Sequence, residues 1–430
     1  MFLVHAIDLT GAYEILLYLS IMMALGLTLG KIASHFELPD IMGYILAGML
    51  LSGFGFVTHE TVLKLEFVSN ISLGFITFSF GTLLFWPNMK AHLKQILVVL
   101  AVEVVLIFGL TLALFSLFRQ PLWFSLIMAA ISIPTATAPI IEITKKHKAK
   151  GPLTNLICGI AGWDNLVAVF IFLMVLPISI ALKNDTTLAF THFVPFLQKF
   201  GIAVLLGITL GLLFGYLQRY VLQRFQKTDR HEPYLVSSLV VIFFGTAASM
   251  LLEVPYYITL LIAGFVFTNM LDKKTFEYET DTLDNFMPPF LIVFFVIAGA
   301  ELNITNLVTY GGLTLLMIAA NLTGKYVGGW LGAIAAPKTS EAQDKYLKTS
   351  LFTHGGIEIA LATMAVIYLD DPRIKAIVLT VVLVYEFFAP LLLSKSLGNA
   401  NEFMLVHVKE HKNNPIKDTS LRSSDQDVKK

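Results

Sequence analysis

Apolar residues run through this chain in long blocks separated by short polar stretches, not in the alternation of a surface helix or strand. A helix that crosses a bilayer needs about 20 mostly apolar residues. Blocks meeting or approaching that length lie at about 13–35, 39–56, 67–85, 93–118, 121–143, 153–182, 195–222, 233–253, 255–271, 286–303, 307–336, 346–369 and 372–396. The pattern predicts an all-α membrane protein with about thirteen transmembrane helices. The connections are short and leave no room for a large extramembrane domain. Past Leu397 the pattern stops, and residues 398–430 have the polar composition of a disordered tail. The first block begins near Tyr13 without a basic flank or small-residue cleavage site, so a retained helix is expected there and not a secretory leader.

Composition agrees. Hydrophobic residues make up 56% of the 430 and charged ones only 14%, against roughly 25% charged in soluble domains. The formal net charge is zero, which argues against nucleic acid as a partner. The one cysteine, Cys158, lies in an apolar block and excludes an intrachain disulfide framework.

Basic residues are unevenly shared between the two sets of connections. Lys145, Lys146, Lys148 and Lys150 crowd one, and Arg219, Arg224, Lys227 and Arg230 another. Lys31, Lys90, Lys94, Lys273, Lys274, Lys338, Lys345 and Lys348 fall on the same side, against Lys64, Arg119, Lys183, Lys199, Arg373 and Lys375 opposite. The basic side is expected to face the cytoplasm of a cell (inner) membrane. An odd number of spans then leaves the N-terminus outside and the tail inside.

Charges within spans cost roughly 2.5–3.5 kcal/mol each on insertion scales, so each needs a reason. Asp164 and Lys325 lie on the sixth and eleventh spans at matching depth from the basic side, about 17 Å at 1.5 Å per residue. They are expected to pair across the bundle, either as a transport site or as a structural salt bridge. Gly324, Gly328 and Gly332 recur every four residues beside Lys325, a signal of close helix approach. The fifth span contains SIPTATAP, whose Pro134 and Pro139 remove backbone donors while Thr135 and Thr137 can satisfy freed groups. The twelfth contains FTHGGIEIA, where Gly355 and Gly356 weaken the helix beside His354 and Glu358. Broken backbone at membrane depth survives where it is buried in protein or lines a cavity. Breaks at corresponding places in spans 1–6 and 8–13 point to inverted repeats around a midplane ion site. Glu103 and Glu386 are further intramembrane acids, each read as a structural partner of a neighbouring helix. Trp163 reads as packing and Cys158 as a small buried residue.

These stretches, in order, resemble one family. LPDIMGYILAGMLLSGFGF is similar to the second-helix signature of the monovalent cation:proton antiporter-2 family, the Kef-type and bacterial sodium/proton exchangers. SIPTATAP and HGGIEIA resemble its two unwound helices, GWDNLVAVF its acidic ion-site helix, VFFVIAGAELNI its FF-x-x-x-G stretch, and LTGKYVGG its buried-lysine helix. The likeness covers about residues 12–397. It implies a sodium/proton antiporter fold and homodimer, with a scaffold at about 13–85 and 233–303, a core at about 93–182 and 307–396, and a linker helix at 195–222. It further implies exchange of Na⁺ or K⁺ for protons by elevator-type alternating access. The cation and proton would compete at Asp164, helped by Lys325, Thr135, Thr137, Asn165 and Glu358, with no cofactor and membrane lipid as surroundings. Two departures stand out. The family's acidic pair is replaced by Trp163-Asp164-Asn165, leaving Asp164 matched to either its second or its first position, and FSFGTLLF lacks the usual acid after its glycine. With one carboxylate present, a Lys325 left alone by a cation on Asp164 would become a second proton carrier. The rival readings are a cation channel and a transport-inactive sensor or scaffold; no nucleophile–base set suggests an enzyme.

Overall fold

Each apolar block folds as helix, because a chain in hydrocarbon has no water to satisfy its peptide groups and must bond them internally. The computed structural model describes residues 9–403 except 37, 188, 223–231, 302–308 and 338–339. The first half holds α1 (Leu9–His35), α2 (Asp40–Gly53), α3 (His59–Leu83), the short α4 (Trp86–Met89), α5 (Leu93–Leu117), α6 (Leu122–Ile131), α7 (Thr137–Lys146) and α8 (Pro152–Lys183). Next comes α9 (Val194–Tyr216), which runs into a π-helical turn, Leu217–Leu222. The second half holds α10 (Glu232–Leu251), α11 (Tyr256–Met270), α12 (Lys273–Phe286), α13 (Pro288–Ala300), α14 (Gly311–Ala335), α15 (Glu341–Ser350), α16 (Gly356–Leu369) and α17 (Arg373–Asn399). All thirteen expected blocks are helical, and no strand occurs among the described residues. The fifth and twelfth blocks are each two helices, α6–α7 and α15–α16, separated by extended chain.

Two elements depart from the hydropathy reading. α15 starts at Glu341, ahead of the apolar block, because Ser340 and Gln343 form a capping box at its N-terminus. α12 occupies the polar connection 272–285. Its buried positions Thr275, Thr282 and Leu283 recur at helical spacing, and Asp272 caps its start. Such an amphipathic helix is invisible to an average over a window. The polar tail from 404 and the basic cluster at Arg224, Lys227 and Arg230 lie outside the described residues. At the near end of the tail, Glu402 accepts the Leu153 and Thr154 amides at 2.8 and 2.7 Å, capping α8.

Packing sorts the helices into two groups. α2 lies against α1 and α13, and α3 against α11, which also carries α9. In the other group α5 lies along α14, α6 along α8, and α17 against α15 and α16. The groups meet where α3 touches α7 and α8, where α9 touches α8 and where α2 touches α17.

Candidate functional site

The two breaks cross each other at the centre of the second group. Pro134 has no amide hydrogen and biases the residue before it away from helix, so α6 stops at Ile131. Pro139 is tolerated because the amides of the first turn of α7 have no intrahelical acceptor anyway. Across the crossing, the Ala136 amide donates to the Thr353 carbonyl at 2.8 Å, and the Thr353 hydroxyl donates to the Ala136 carbonyl at 2.9 Å. Gly355 makes this approach possible: a Cβ there would stand 3.0 Å from the Ala136 Cβ. Helices α7 and α16 therefore both begin at the crossing, with their positive dipole ends toward it. Beside it lies a cavity of about 20 Å³, room for one water or one dehydrated monovalent cation. Thr135, Thr137, Asn165, Gly355 and Glu358 line it from the broken-helix group, and Thr77 and Phe294 from the other.

Lys325 is fully buried and reaches into the first break. Its ammonium lies 2.9 Å from Glu103 Oε1 and 3.7 Å from Asp164 Oδ2. It also donates to the Thr135 hydroxyl at 2.6 Å and to the Ile133 carbonyl at 3.0 Å. The Thr135 hydroxyl in turn donates to Asp164 Oδ2. The other oxygen of Asp164, 1% exposed, has no hydrogen-bond partner among the described residues.

The expected Asp164–Lys325 juxtaposition is present, but Glu103 is the nearer acid. The glycine stripe explains how. A Cβ on Gly324, Gly328 or Gly332 would stand 2.9–3.0 Å from Ile107, Glu103 and Val99 of α5. The stripe thus brings α14 against the helix that carries Glu103. Glu103 is the eleventh residue of α5, which starts on the lysine-rich face. The depth count that joins Asp164 to Lys325 would have included it.

The remaining candidates divide. Asn165 donates to the Ala161 carbonyl at 2.7 Å and turns toward Thr135 at 3.4 Å, leaving its oxygen unbonded. Thr137 opens α7 at the cavity wall. Glu358 Oε1 meets His354 Nδ1 at 2.5 Å, and its Oε2 has no hydrogen bond. Trp163 packs against the apolar side chains of Leu100, Val104, Ile133 and Ala168. Glu386 stands on α17 with no hydrogen-bond partner for either oxygen among the described residues.

A family described as "Sodium/hydrogen exchanger, transmembrane" matches residues 20–395. The chain is similar to the NhaS4 Na⁺/H⁺ antiporter of Synechocystis, 27% identical over 73% of this chain and 80% of that one. It is also similar to the AmhT ammonium/H⁺ antiporter subunit of Alkalihalophilus pseudofirmus, 21% identical over 78% and 83%. Among solved structures it superposes on the sodium proton antiporter MjNhaP1 of Methanocaldococcus jannaschii with a TM-score of 0.72. That match has 17% identity and covers 92% of this chain and 98% of that one.

Proposed function

The chain belongs to the sodium/hydrogen exchanger family, and from that premise we propose that it exchanges a monovalent cation for protons at Asp164. One observation carries the reading. Asp164 is a fully buried carboxylate with one oxygen unbonded, tied through Thr135 to a crossing of two broken helices beside an ion-sized cavity. Deprotonated, it can take a cation together with backbone carbonyls of the breaks; protonated, it cannot. Neither occupant passes unless the group holding α5–α8 and α14–α17 moves against the other, and the cavity wall formed by both groups fits an elevator-type motion. The Kef-like stretches favour the antiporter-2 branch of the family. Na⁺ is the first cargo to test, with K⁺, Li⁺ and, given the ammonium relative, NH₄⁺ beside it. The lysine-rich face would lie in the cytoplasm, and the α1–α3 group would carry the homodimer contact.

Glu103 changes the role of Lys325. A cation on Asp164 leaves the ammonium still paired with Glu103 at 2.9 Å, so the lysine does not become a lone buried charge and has no reason to release its proton. One proton per cation is expected.

The test is a pH-dequench measurement in proteoliposomes, with each cation added in turn. A cation-driven alkalinisation or acidification should saturate with cation and vanish in Asp164→Asn. Flux that never saturates would mean a channel, and no cation-dependent pH change at all would mean a transport-inactive scaffold.

A further inference from the structure

Glu386 is an acid the exchange reading does not use. It sits at the middle of α17, 1% exposed, with neither oxygen in a hydrogen bond among the described residues. A carboxyl kept there without a donor calls for an occupant of its own. Its Oε1 lies 3.6 Å from where a Gly355 Cβ would stand, so the bare glycine opens the helix crossing to it.

Acids continue on both sides. Toward the lysine-rich face, α7, which carries Glu142, packs against α17. Glu142 accepts the Asp40 amide at 3.3 Å, and Asp40 pairs with Lys31, 68% exposed, at 3.3 Å. Toward the cavity, Glu358 lies in the first turn of α16, which packs against α17, with His354 against it. The other groups facing this row are identifiable. Tyr385 of α17 lies tilted against His354, ring centroids 4.2 Å apart, while Tyr44 of α2 and Lys325 of α14 are the titratable groups that the neighbouring helices contribute. Helix α15 meets α17 through the Thr349–Ser396 hydroxyl pair.

We propose that Asp40, Glu142, Glu386 and Glu358 form a proton route from the lysine-rich face to Asp164, with Glu386 its buried proton-holding station. The route rests on the exchange reading. A proton taken from solvent at Asp40 or Glu142 passes to Glu386, then to Glu358, and reaches Asp164 as the cation leaves; the reverse cycle returns it. Only O–H bonds form and break; between carboxyls not in contact, a bridging water would carry the proton.

Two readouts test the route on the full-length chain. In proteoliposomes, Glu386→Gln should slow Na⁺-driven proton movement by about 10²-fold, the scale of losing a positioned proton carrier. Half-saturating Na⁺ at a given pH should stay unchanged. Glu142→Gln, nearer the surface, should slow it less and shift the pH profile. Infrared difference spectra of the solubilised protein between acid and alkaline pH should contain a carboxyl band that Glu386→Gln removes. If wild-type vesicles show no exchange, the exchange reading fails, while the infrared arm still judges Glu386. The proposal is overturned if Glu386→Gln keeps the wild-type rate and pH profile, or keeps the whole carboxyl band. A lower melting temperature in Glu386→Gln with Glu142→Gln indistinguishable from wild type would equally reduce Glu386 to a packing residue.

Discussion

Lys325 stands between two acids, and the distances decide what each does. On the exchange reading Glu103, at 2.9 Å, is its steady partner, whereas Asp164, at 3.7 Å and shared with Thr135, is the acid proposed to change occupant. Removing one member of a buried pair leaves an uncompensated charge and costs about 3–5 kcal/mol. Lys325→Gln and Glu103→Gln should therefore each lower the thermal unfolding temperature. The double variant should lose less than the sum of the two, a coupling that unfolding in detergent would reveal. The same pairing predicts wild-type exchange indifferent to membrane potential. Glu103→Gln should make it voltage-dependent, because Lys325 then loses its counter-charge each time a cation takes Asp164. Clamping the potential with valinomycin and K⁺, once K⁺ is shown not to be cargo, checks this; voltage-dependent wild-type exchange would contradict it. Raising the pH should increase apparent cation affinity until Asp164 is fully deprotonated, since proton and cation compete for one carboxylate.

At the scale of the element, small residues set how closely helices approach, and the site depends on two such approaches. Gly328→Ala would put a methyl 2.9 Å from the Glu103 Cα, a backbone atom that cannot step aside. α14 and α5 must part, so the expected result is a weakened Glu103–Lys325 pair and a lower melting temperature with slowed exchange. At the other approach, Gly355→Ala would press on Ala136 at 3.0 Å. Helix propensity favours Ala by roughly 1 kcal/mol, but Gly355 is extended and lies just outside α16, so sterics at the crossing decide. Apparent cation affinity should fall several-fold, measured as the half-saturating concentration in dequench assays, while α5–α14 contacts and overall stability hold. Unchanged affinity would remove the crossing from the cation site.

At the scale of the whole molecule, the proposed orientation and the proposed motion of one group of helices against the other each have a direct test. With Cys158 replaced by Ser, a cysteine at Lys148 should react with impermeant maleimide only from the cytoplasmic side, and one at Asp185 only from outside. Reversed labelling would invert the topology and the direction of the proton route. Thr77 and Phe294 meet Thr135 and Gly355 across the cavity from the other group. A disulfide joining the two groups across this wall should therefore block exchange, and its reduction should restore it.

Much of this was legible in the residues alone. Thirteen helical blocks, both breaks and the Asp164–Lys325 depth match follow from hydropathy, charge and proline or glycine placement, because the bilayer forces each segment to satisfy its own backbone and makes every buried charge conspicuous. The amphipathic helix Lys273–Phe286 escaped because its apolar residues are spread around one face. Glu103 was legible as a structural partner of some neighbouring helix but not as the partner of Lys325. Which acid Lys325 meets depends on how far the glycines of α14 let α5 advance, a distance of a few ångströms that one-dimensional depth cannot resolve. Likewise Glu142, Glu386 and Glu358 come from three separate helices, and only the packing of α7 and α16 on α17 suggests the proposed row. The sequence by itself determined which groups the membrane must account for; the tertiary structure decided which of them stand within reach of one another, because pairing energy depends on separation in space and not on position along the chain.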